Sequence, residues 1–411
     1  MAKRNQMTNM NQVTTPSEGD VLYLDGEHGP KKILVPNYLK PATDKLANLN
    51  SRITAIEELR IRKKIYGVYW DGGPGHTFSR TDDAALFSSP QPSIDGSQGS
   101  SPFDGILPWD GMQIVNDPVA GALVSIPKYY YKWTKTDSAM QLQISMYPHP
   151  GFHVSPAHGN RGDGYGERDV VYIGRYLSNT TNYKSLSGYK PDGTGVTKAT
   201  YRTRFHNLGA EYWNYDYAMF WTLAMLYLVE YADWDTSEAI CYSHTYPFED
   251  NTGMTDNVLY HTGGTEGSKI QYRYIEDFFG GGYILIDGLR SNNNDVYLIY
   301  NPSQFSDTAN GTKIGSFTGL TSSDGYIVKS FSIPQTDGLE WALFPNATLQ
   351  TYEKVYVTDS IRFKDFDGAH IGILGCPNND SYNGMFRLDF MRTATYEDDT
   401  SAARLQKLPN S

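Results

Sequence analysis

The sequence predicts an α+β fold that combines many short antiparallel strands with about two helices and long loops. An apolar run at residues 220–232 has the length and composition of a buried helix. Strand-like segments rich in Tyr, Ile and Val occur at residues 295–300, 326–333 and 340–344, with turn residues between them. The absence of an internal repeat argues against a propeller or a β-helix. A chain of 411 residues is long enough for one large domain or for two to three smaller ones.

The N-terminal part of the chain contains a predicted β-hairpin. Residues 20–25 and 31–35 alternate in the manner of strands, and a turn rich in Gly and Pro lies between them. An isolated hairpin is marginally stable in water, so this one is expected to pack on another element. The arrangement resembles the N-terminal attachment segment of phage tail proteins, which implies that residues 1–38 bind other phage tail proteins.

Residues 39–65 carry a seven-residue apolar repeat typical of a coiled-coil stalk. One core position holds Leu39, Leu46 and Ile53, and the other holds Ala42, Leu49 and Ile56. The repeat ends where Arg60 and Lys63 would take the next core positions, so it is too short for a stable isolated coiled coil. Isoleucine at both core positions favours three strands, which predicts a homotrimer. The alternative is an amphipathic helix that lies on the protein's own core.

Composition excludes some classes of function and favours others. Residues 1–66 hold 11 Lys+Arg and 7 Asp+Glu, and the remainder holds 24 and 39, so the body carries a charge of −15. An acidic body disfavours nucleic acid. The 32 Tyr, against 17 Phe, suit a recognition surface or sugar stacking, and they also suit ordinary strands.

The sequence shows no signal for membrane insertion. Its N-terminus lacks the apolar core of a signal peptide, and its longest apolar run, residues 218–229, is too short to span a bilayer. We therefore expect synthesis in the cytoplasm.

Several motifs have the residue types of a metal or catalytic site without the usual spacing. His149, His153 and His158 lie among prolines and glycine, so loop histidines are favoured over a zinc site. The acidic pairs at residues 233–238 and 364–368 leave calcium as a possible cofactor, and paired acids also occur in glycosidases. Gly280, Gly281 and Gly282 lack the Gly-Lys-Ser/Thr continuation of a phosphate loop. No metal site is predicted.

Ordered blocks along residues 66–411 resemble the C-type-lectin-like domain of the formylglycine-generating-enzyme type. These blocks are residues 66–72, 126–133, 151–157, 172–176 and 272–288. The domain occurs in phage tail receptor-binding proteins and in proteins diversified by retroelements. The oxidase of this fold needs a pair of neighbouring reactive cysteines, whereas Cys241 and Cys376 are 135 positions apart. The resemblance therefore implies a binding domain over residues 66–411 and no enzyme activity.

The C-terminal segment resembles the variable region of that family, which forms its ligand-binding face. The mixed residues of a predicted strand alternate with apolar ones, and a loop rich in Asn precedes them. Side chains of these types offer hydrogen bonds and stacking. The resemblance implies ligand binding by Asn378, Asn379, Asp380, Tyr382, Asn383, Met385, Arg387, Asp389, Met391 and Tyr396. The alternative is that these residues are solvated and serve no ligand.

The expected function is that of a phage tail receptor-binding protein located in the virion. Three lectin-like heads, held by the stalk residues Leu39, Leu46, Leu49, Ile53 and Ile56, would attach to a host cell-surface glycan or protein. One alternative is a tail-associated polysaccharide depolymerase. Another is a structural baseplate component that binds no receptor.

Overall fold

The computed structural model has a mixed α+β composition in which strands outnumber helices, and one of its sheets curls into a half-barrel. It divides the chain into two compact units, Met1–Arg62 and Lys63–Ser411. The structure describes residues 21–24, 31–94, 97–136, 138–241, 250–264, 269–279, 282–317, 326–349, 356–363, 368–375 and 383–410.

The first unit contains the predicted hairpin and the predicted helix. Strands β1 (Val21–Leu24) and β2 (Lys31–Leu34) pair antiparallel. Helix α1 (Val35–Arg62) follows β2 directly and therefore begins four residues before the predicted position 39. Pro36 lies in its first turn, where a missing N–H has no helical partner to lose.

The apolar stripe of α1 is exposed. Leu46, Leu49, Ile53 and Ile56 have between 45% and 64% of their surface accessible. Four large aliphatic side chains in this state leave a continuous apolar seam along the helix.

The second unit contains most of the strands. In chain order they are β3 (Ile65–Trp70), β4 (Ser79–Asp82), β5 (Ile114–Asp117), β6 (Gly121–Pro127), β7 (Tyr130–Thr136), β8 (Ala139–Ser145), β9 (His153–Val154), β10 (Val170–Gly174), β11 (Tyr212–Asn214), β12 (Gly263–Gly264), β13 (Ile270–Tyr272), β14 (Ile275–Glu276), β15 (Tyr283–Asn292), β16 (Asp295–Leu298), β17 (Thr312–Ser316), β18 (Tyr326–Ser332), β19 (Phe344–Leu349), β20 (Ser360–Phe363), β21 (Ala369–Leu374), β22 (Leu388–Phe390), β23 (Ser401–Ala402) and β24 (Leu405–Lys407). Its helices are α2 (Lys198–His206), α3 (Tyr217–Tyr231) and α4 (Thr236–Ala239).

The described strands of this unit form four sheets. The first has the order β4-β3-β8-β7-β9, the second β11-β24-β10-β6-β5, and the third β12-β13-β14. The largest has the order β17-β16-β15-β21-β22-β20-β18-β19, and β23 pairs in parallel with β15. Because β24 lies between β10 and β11, the C-terminal end of the chain is an interior part of the second sheet.

Helix α3 is the centre of the core. All 15 of its residues are buried, which matches the rule that a helix apolar on every side lies inside a protein. The Asp216 side chain caps its first turn by accepting the Met219 N–H at 2.8 Å. The helix ends at Tyr231, and the capping residue Ala232 that follows has a left-handed φ of 57°. The apolar helix predicted at residues 220–232 is confirmed and begins three residues earlier.

No helix among the described residues is long and apolar enough to cross a membrane.

Candidate ligand-binding site

The structure places most of the described C-terminal candidate residues inside the protein. Asn383, Met385, Arg387 and Asp389 are between 0% and 5% exposed. The expectation that they form an outward face is therefore wrong. Asn378, Asn379, Asp380 and Tyr382 lie outside the described residues.

The short length and central position of β22 explain this correction for Asp389, which is the one of these four residues that lies in the strand. The sequence predicted one long strand with an apolar side and a mixed side, but β22 has three residues and lies between β21 and β20. Both faces of such a strand are covered. Arg387 Nη2 lies 3.7 Å from Asp389 Oδ2, so these two charges compensate one another inside the protein.

Met391 and Tyr396 remain partly exposed. The guanidinium of Arg392 lies 4.6 Å from the centre of the Tyr396 ring, and that ring also packs against Tyr283. A ligand role for Met391 and Tyr396 stays a prediction.

The three candidate histidines have separate environments. His158 is fully buried and bonds to Ser155 Oγ and the Ile126 carbonyl, and burial lowers its pKa to about 4. His149 Nε2 lies 3.0 Å from the Lys63 carbonyl oxygen. Among the described residues, only His153 of these three belongs to a group of possible metal ligands.

Two carboxylates of the acidic segment at residues 233–238 already bond to other groups of the protein. Asp235 caps α4 by accepting the N–H groups of Ser237 and Glu238. Asp233 Oδ1 lies 2.6 Å from His76 Nδ1. Of the other acidic segment, residues 364–367 lie outside the described part of the chain.

A cleft of about 390 Å³ lies between residues 98–113 and the β13–β14 hairpin, and we call it the Asp104 cleft. Its lining combines aromatic rings, amides and charged groups. The lining residues used below are Gln98, Asp104, Asp110, Gln113, Tyr260, His261, Arg273 and Tyr274.

Three side chains converge on the exposed carboxylate of Asp104. Tyr260 Oη donates to Asp104 Oδ1 at 3.1 Å, and Arg273 Nη1 donates to the same oxygen at 3.1 Å. His261 Nε2 lies 3.2 Å from it. The second oxygen, Oδ2, accepts the Ser101 N–H. The carboxylate is thus held in one orientation while 38% of its side chain stays accessible.

The buried carboxylate of Glu230, near the C-terminal end of α3, anchors the opposite side of Arg273. Glu230 accepts two hydrogen bonds from the Arg273 guanidinium, and it also accepts from Tyr272 Oη and Ser101 Oγ. Burial acts to lower the pKa of Arg273, but the Glu230 charge outweighs burial and raises it. Arg273 is therefore a fixed positive charge tied to the core helix.

The β13–β14 turn has an unusual backbone. Arg273 and Tyr274 are the two residues between the paired Tyr272 and Ile275, and their φ angles are 45° and 70°. Two-residue hairpins with both φ angles positive normally contain Asn-Gly or Asp-Gly, because a Cβ is strained there. Bulky residues in such positions persist when their surroundings hold them, and they cluster at functional sites. Here the Glu230 pair holds Arg273, and the Tyr274 N–H donates to the His261 carbonyl at 2.9 Å.

The aromatic part of the cleft is uncharged. The rings of Tyr260 and His261 are 3.9 Å apart between centroids, and the Tyr274 ring is 5.4 Å from that of His261. Burial, helped by the Arg273 charge, lowers the pKa of His261 to about 3. The imidazole is consequently neutral near pH 7.

The arrangement favours binding over catalysis. Rings with apolar faces lie beside the exposed groups Gln98, Gln113 and Asp110, which offer donors and acceptors to a ligand. Negative charges at Asp104, Asp110 and Glu230 outnumber the positive charge of Arg273, so the cleft disfavours an anionic ligand. Neutral hydroxyl-rich molecules fit this combination of stacking and hydrogen bonding.

Sequence reasoning missed this cleft. Its residues come from two distant parts of the chain, 98–113 and 260–274, and Arg-Tyr gives no turn signal. No family model matches the sequence, and no curated protein matches it significantly.

Proposed function

We propose that this protein is a receptor-binding protein of the phage-tail type, which attaches to a host cell-surface glycan or protein. The observation that carries the proposal is the Asp104 cleft, where strained and tightly anchored residues present rings and polar groups to solvent. Rigid support for a binding surface lowers the entropy lost when a ligand binds. The lectin-like identity of the second unit and a location in the virion are part of the same proposal.

The charges around the cleft narrow the class of ligand. Asp104 and Asp110 are exposed, whereas Arg273 is 2% exposed and already neutralised by Glu230. Uronic acids, sialic acids and phosphates would meet unfavourable charge. A neutral glycan is therefore the favoured ligand.

The exposed seam of α1 supports display in several copies. An apolar stripe that includes Leu46, Leu49, Ile53 and Ile56 is stabilised when it packs against the same stripe of other chains. Three copies raise the effective concentration of each head near a surface, so weak individual sites can give firm attachment. The seam thus links the helix to the proposed function.

Adsorption to cells tests the binding site. Labelled full-length protein is incubated with intact candidate host cells, and Tyr274→Ala is expected to reduce adsorption at least about 10-fold while the protein stays folded. Tyr189→Ala is the matched control, since Tyr189 is an exposed tyrosine outside the cleft. Loss of adsorption on Tyr396→Ala, with none on Tyr274→Ala, would move the site to the C-terminal segment.

Light scattering tests the assembly. The wild-type chain should have three times the monomer mass, and Ile53→Asp should shift it to monomer because a charge replaces a core side chain. Ser51→Asp adds the same charge away from the seam and should leave the mass unchanged. A monomeric wild type contradicts the trimer.

Two rival functions have separate readouts. A depolymerase would shorten purified host capsule or wall polysaccharide, which is measured by the size of the sugar products. A structural baseplate component would ignore intact host cells altogether. The anchoring of Asp104 by Tyr260, Arg273 and the Ser101 N–H favours a binding role over that of a free acid in hydrolysis.

A further inference from the structure

A second group of polar side chains shares no residue with the Asp104 cleft. His153, Asp337 and Glu340 each offer a ligand atom, and these atoms all lie within 4.8 Å of one another. His153 and Glu340 are half-buried, and Asp337 is exposed. One imidazole and two carboxylates from separate segments therefore converge at one point.

The backbone explains how these residues meet. His153 lies in β9 and pairs directly across from Tyr131 in β7, so both side chains are on the same face of the sheet. Asp337 and Glu340 lie in a tight bend, where the Leu339 N–H donates to the Thr336 carbonyl at 3.0 Å. The bend turns at Gly338, whose φ is 78°. The Trp341 indole N–H fastens it by donating to the Gly338 carbonyl.

Two polar atoms at this point lack a hydrogen bond of good geometry. The Tyr131 hydroxyl belongs to a fully buried side chain, and the Trp341 backbone N–H beside it does not reach good hydrogen-bond geometry. Its ring is 6.0 Å from that of His153, and Glu340 is among its charged neighbours. The buried Oε2 atom of Glu340 also lacks a hydrogen bond of good geometry among the described residues. Buried polar groups in native proteins rarely stay unpaired, so a ligand bound here would give these two atoms a partner.

We propose that His153, Asp337 and Glu340 bind a divalent cation of the Zn²⁺ type. An imidazole with two carboxylates suits zinc better than calcium, which prefers six to eight oxygens. A tetrahedral shell with bonds of about 2.1 Å would place the ligand atoms about 3.4 Å apart, so a small closure of the exposed Asp337 completes it. A water molecule takes the fourth position and gives the Tyr131 hydroxyl a partner.

The cation would join two parts of the second unit. It fixes the bend at residues 336–340 to β9, and through the β7–β9 pairing to the first sheet of that unit. Since Tyr131 supplies none of the three ligand atoms, it acts as a positioning residue. This proposal does not depend on the Asp104 cleft or on receptor binding.

Calorimetric titration of the full-length chain tests the site. Protein stripped with EDTA and then dialysed is titrated with Zn²⁺, and one ion per chain is expected to bind with a rise in melting temperature. His153→Ala should abolish this binding, and Asp337→Asn should weaken it at least about 10-fold. Tyr131→Phe should weaken it by about 10- to 100-fold, as for other groups that support metal ligands.

Two substitutions elsewhere in the second unit serve as controls for the titration. His206→Gln and Glu397→Gln change an exposed histidine and an exposed carboxylate elsewhere, and should leave the titration unchanged. Asp337→Asn lies on an exposed bend, so it remains folded and informative if His153→Ala does not fold. Absence of zinc binding by the wild type overturns the proposal. So does Zn²⁺ binding that is as tight in Asp337→Asn as in the wild type, or a response to Ca²⁺ as strong as that to Zn²⁺.

Discussion

Helices α1 and α3 place their apolar side chains in opposite environments. In α3 every residue is buried, and its aromatic rings pack against Phe331, Trp341 and Phe386 from distant segments. In α1 the four seam residues are 45–64% exposed. The first helix is longer by 13 residues, yet the shorter one organises a core.

The difference shows which contacts each helix needs. Helix α3 finds its partners within its own unit, so changes there should lower the stability of each chain. The seam of α1 has its apolar side chains exposed, so changes there should act on association. All 7 Trp lie in the second unit, and their fluorescence follows the unfolding of that unit.

The largest expected effect comes from a charge on α3. Glu230→Gln removes the buried one of the two carboxylates that pair with Arg273 and is expected to lower the free energy of unfolding by about 3–5 kcal/mol. Glu57→Gln on the exposed surface of α1 should change it by less than about 0.5 kcal/mol. Urea unfolding followed by tryptophan fluorescence measures both. Equal effects would refute the contrast between the two helices.

A pair of leucines gives the matched apolar comparison. Leu226→Ala in α3 removes a side chain that is 0% exposed and should cost about 2–5 kcal/mol of unfolding free energy. Leu49→Ala in α1 should leave the unfolding of the second unit within about 0.5 kcal/mol of wild type, and it should weaken association by light scattering. A large loss for Leu49→Ala in a monomer would show that α1 packs on its own chain.

A buried carboxyl group, Asp359, predicts that the free energy of unfolding depends on pH. Burial, and then the nearby charge of Asp235, raise the pKa of Asp359 from 3.8 to about 8. The folded state therefore holds a proton that the unfolded state releases. Stability from this group is complete below about pH 3.8 and is lost as pH rises to about 8, with a slope of up to about 1.4 kcal/mol per pH unit.

Melting curves between pH 6.5 and 9 measure this effect. The lowered pKa values of His158 and His261 act below about pH 6.5, so that window avoids them. The raised pKa of His76, caused first by its bond to Asp233, acts in the same direction as Asp359. Comparison with Asp359→Asn isolates the carboxyl: the variant should have the shallower slope, and an equal slope would contradict the assignment.

The smallest effect is expected in the Asp104 cleft. Tyr274→Gly should raise the free energy of unfolding by about 0.5–1 kcal/mol, because glycine relieves the positive φ of this position. Tyr189→Gly, at a position without positive φ, should lower it instead. Thermal unfolding measures both, and Tyr274→Gly should also lose adsorption to cells. Destabilisation by more than about 1 kcal/mol would mean that side-chain packing outweighs the strain.

Sequence patterns predicted those elements in which a local period or composition of apolar residues is visible within one segment. The hairpin, α1 and α3 each have a period or a composition that a single segment displays, and all three were found within four residues of their predicted starts. The prediction of an exposed C-terminal face was wrong because an alternating sequence shows that the two sides of a strand differ. It does not show whether both sides are buried by neighbouring elements. Asp389 is buried because β22 lies between the strands β20 and β21, and Asn383, Met385 and Arg387 are buried in the segment before β22.

By itself, the sequence determined that this chain has an α+β fold, a helix with an apolar seam and a largely apolar core helix. These properties follow from hydrophobic periodicity, which each segment carries alone. Only the tertiary structure decided that Arg273 and Tyr274 form a strained turn beside Asp104, and that His153 meets Asp337 and Glu340. Such sites join residues more than 100 positions apart, and their contacts exist only after the sheets have packed around α3.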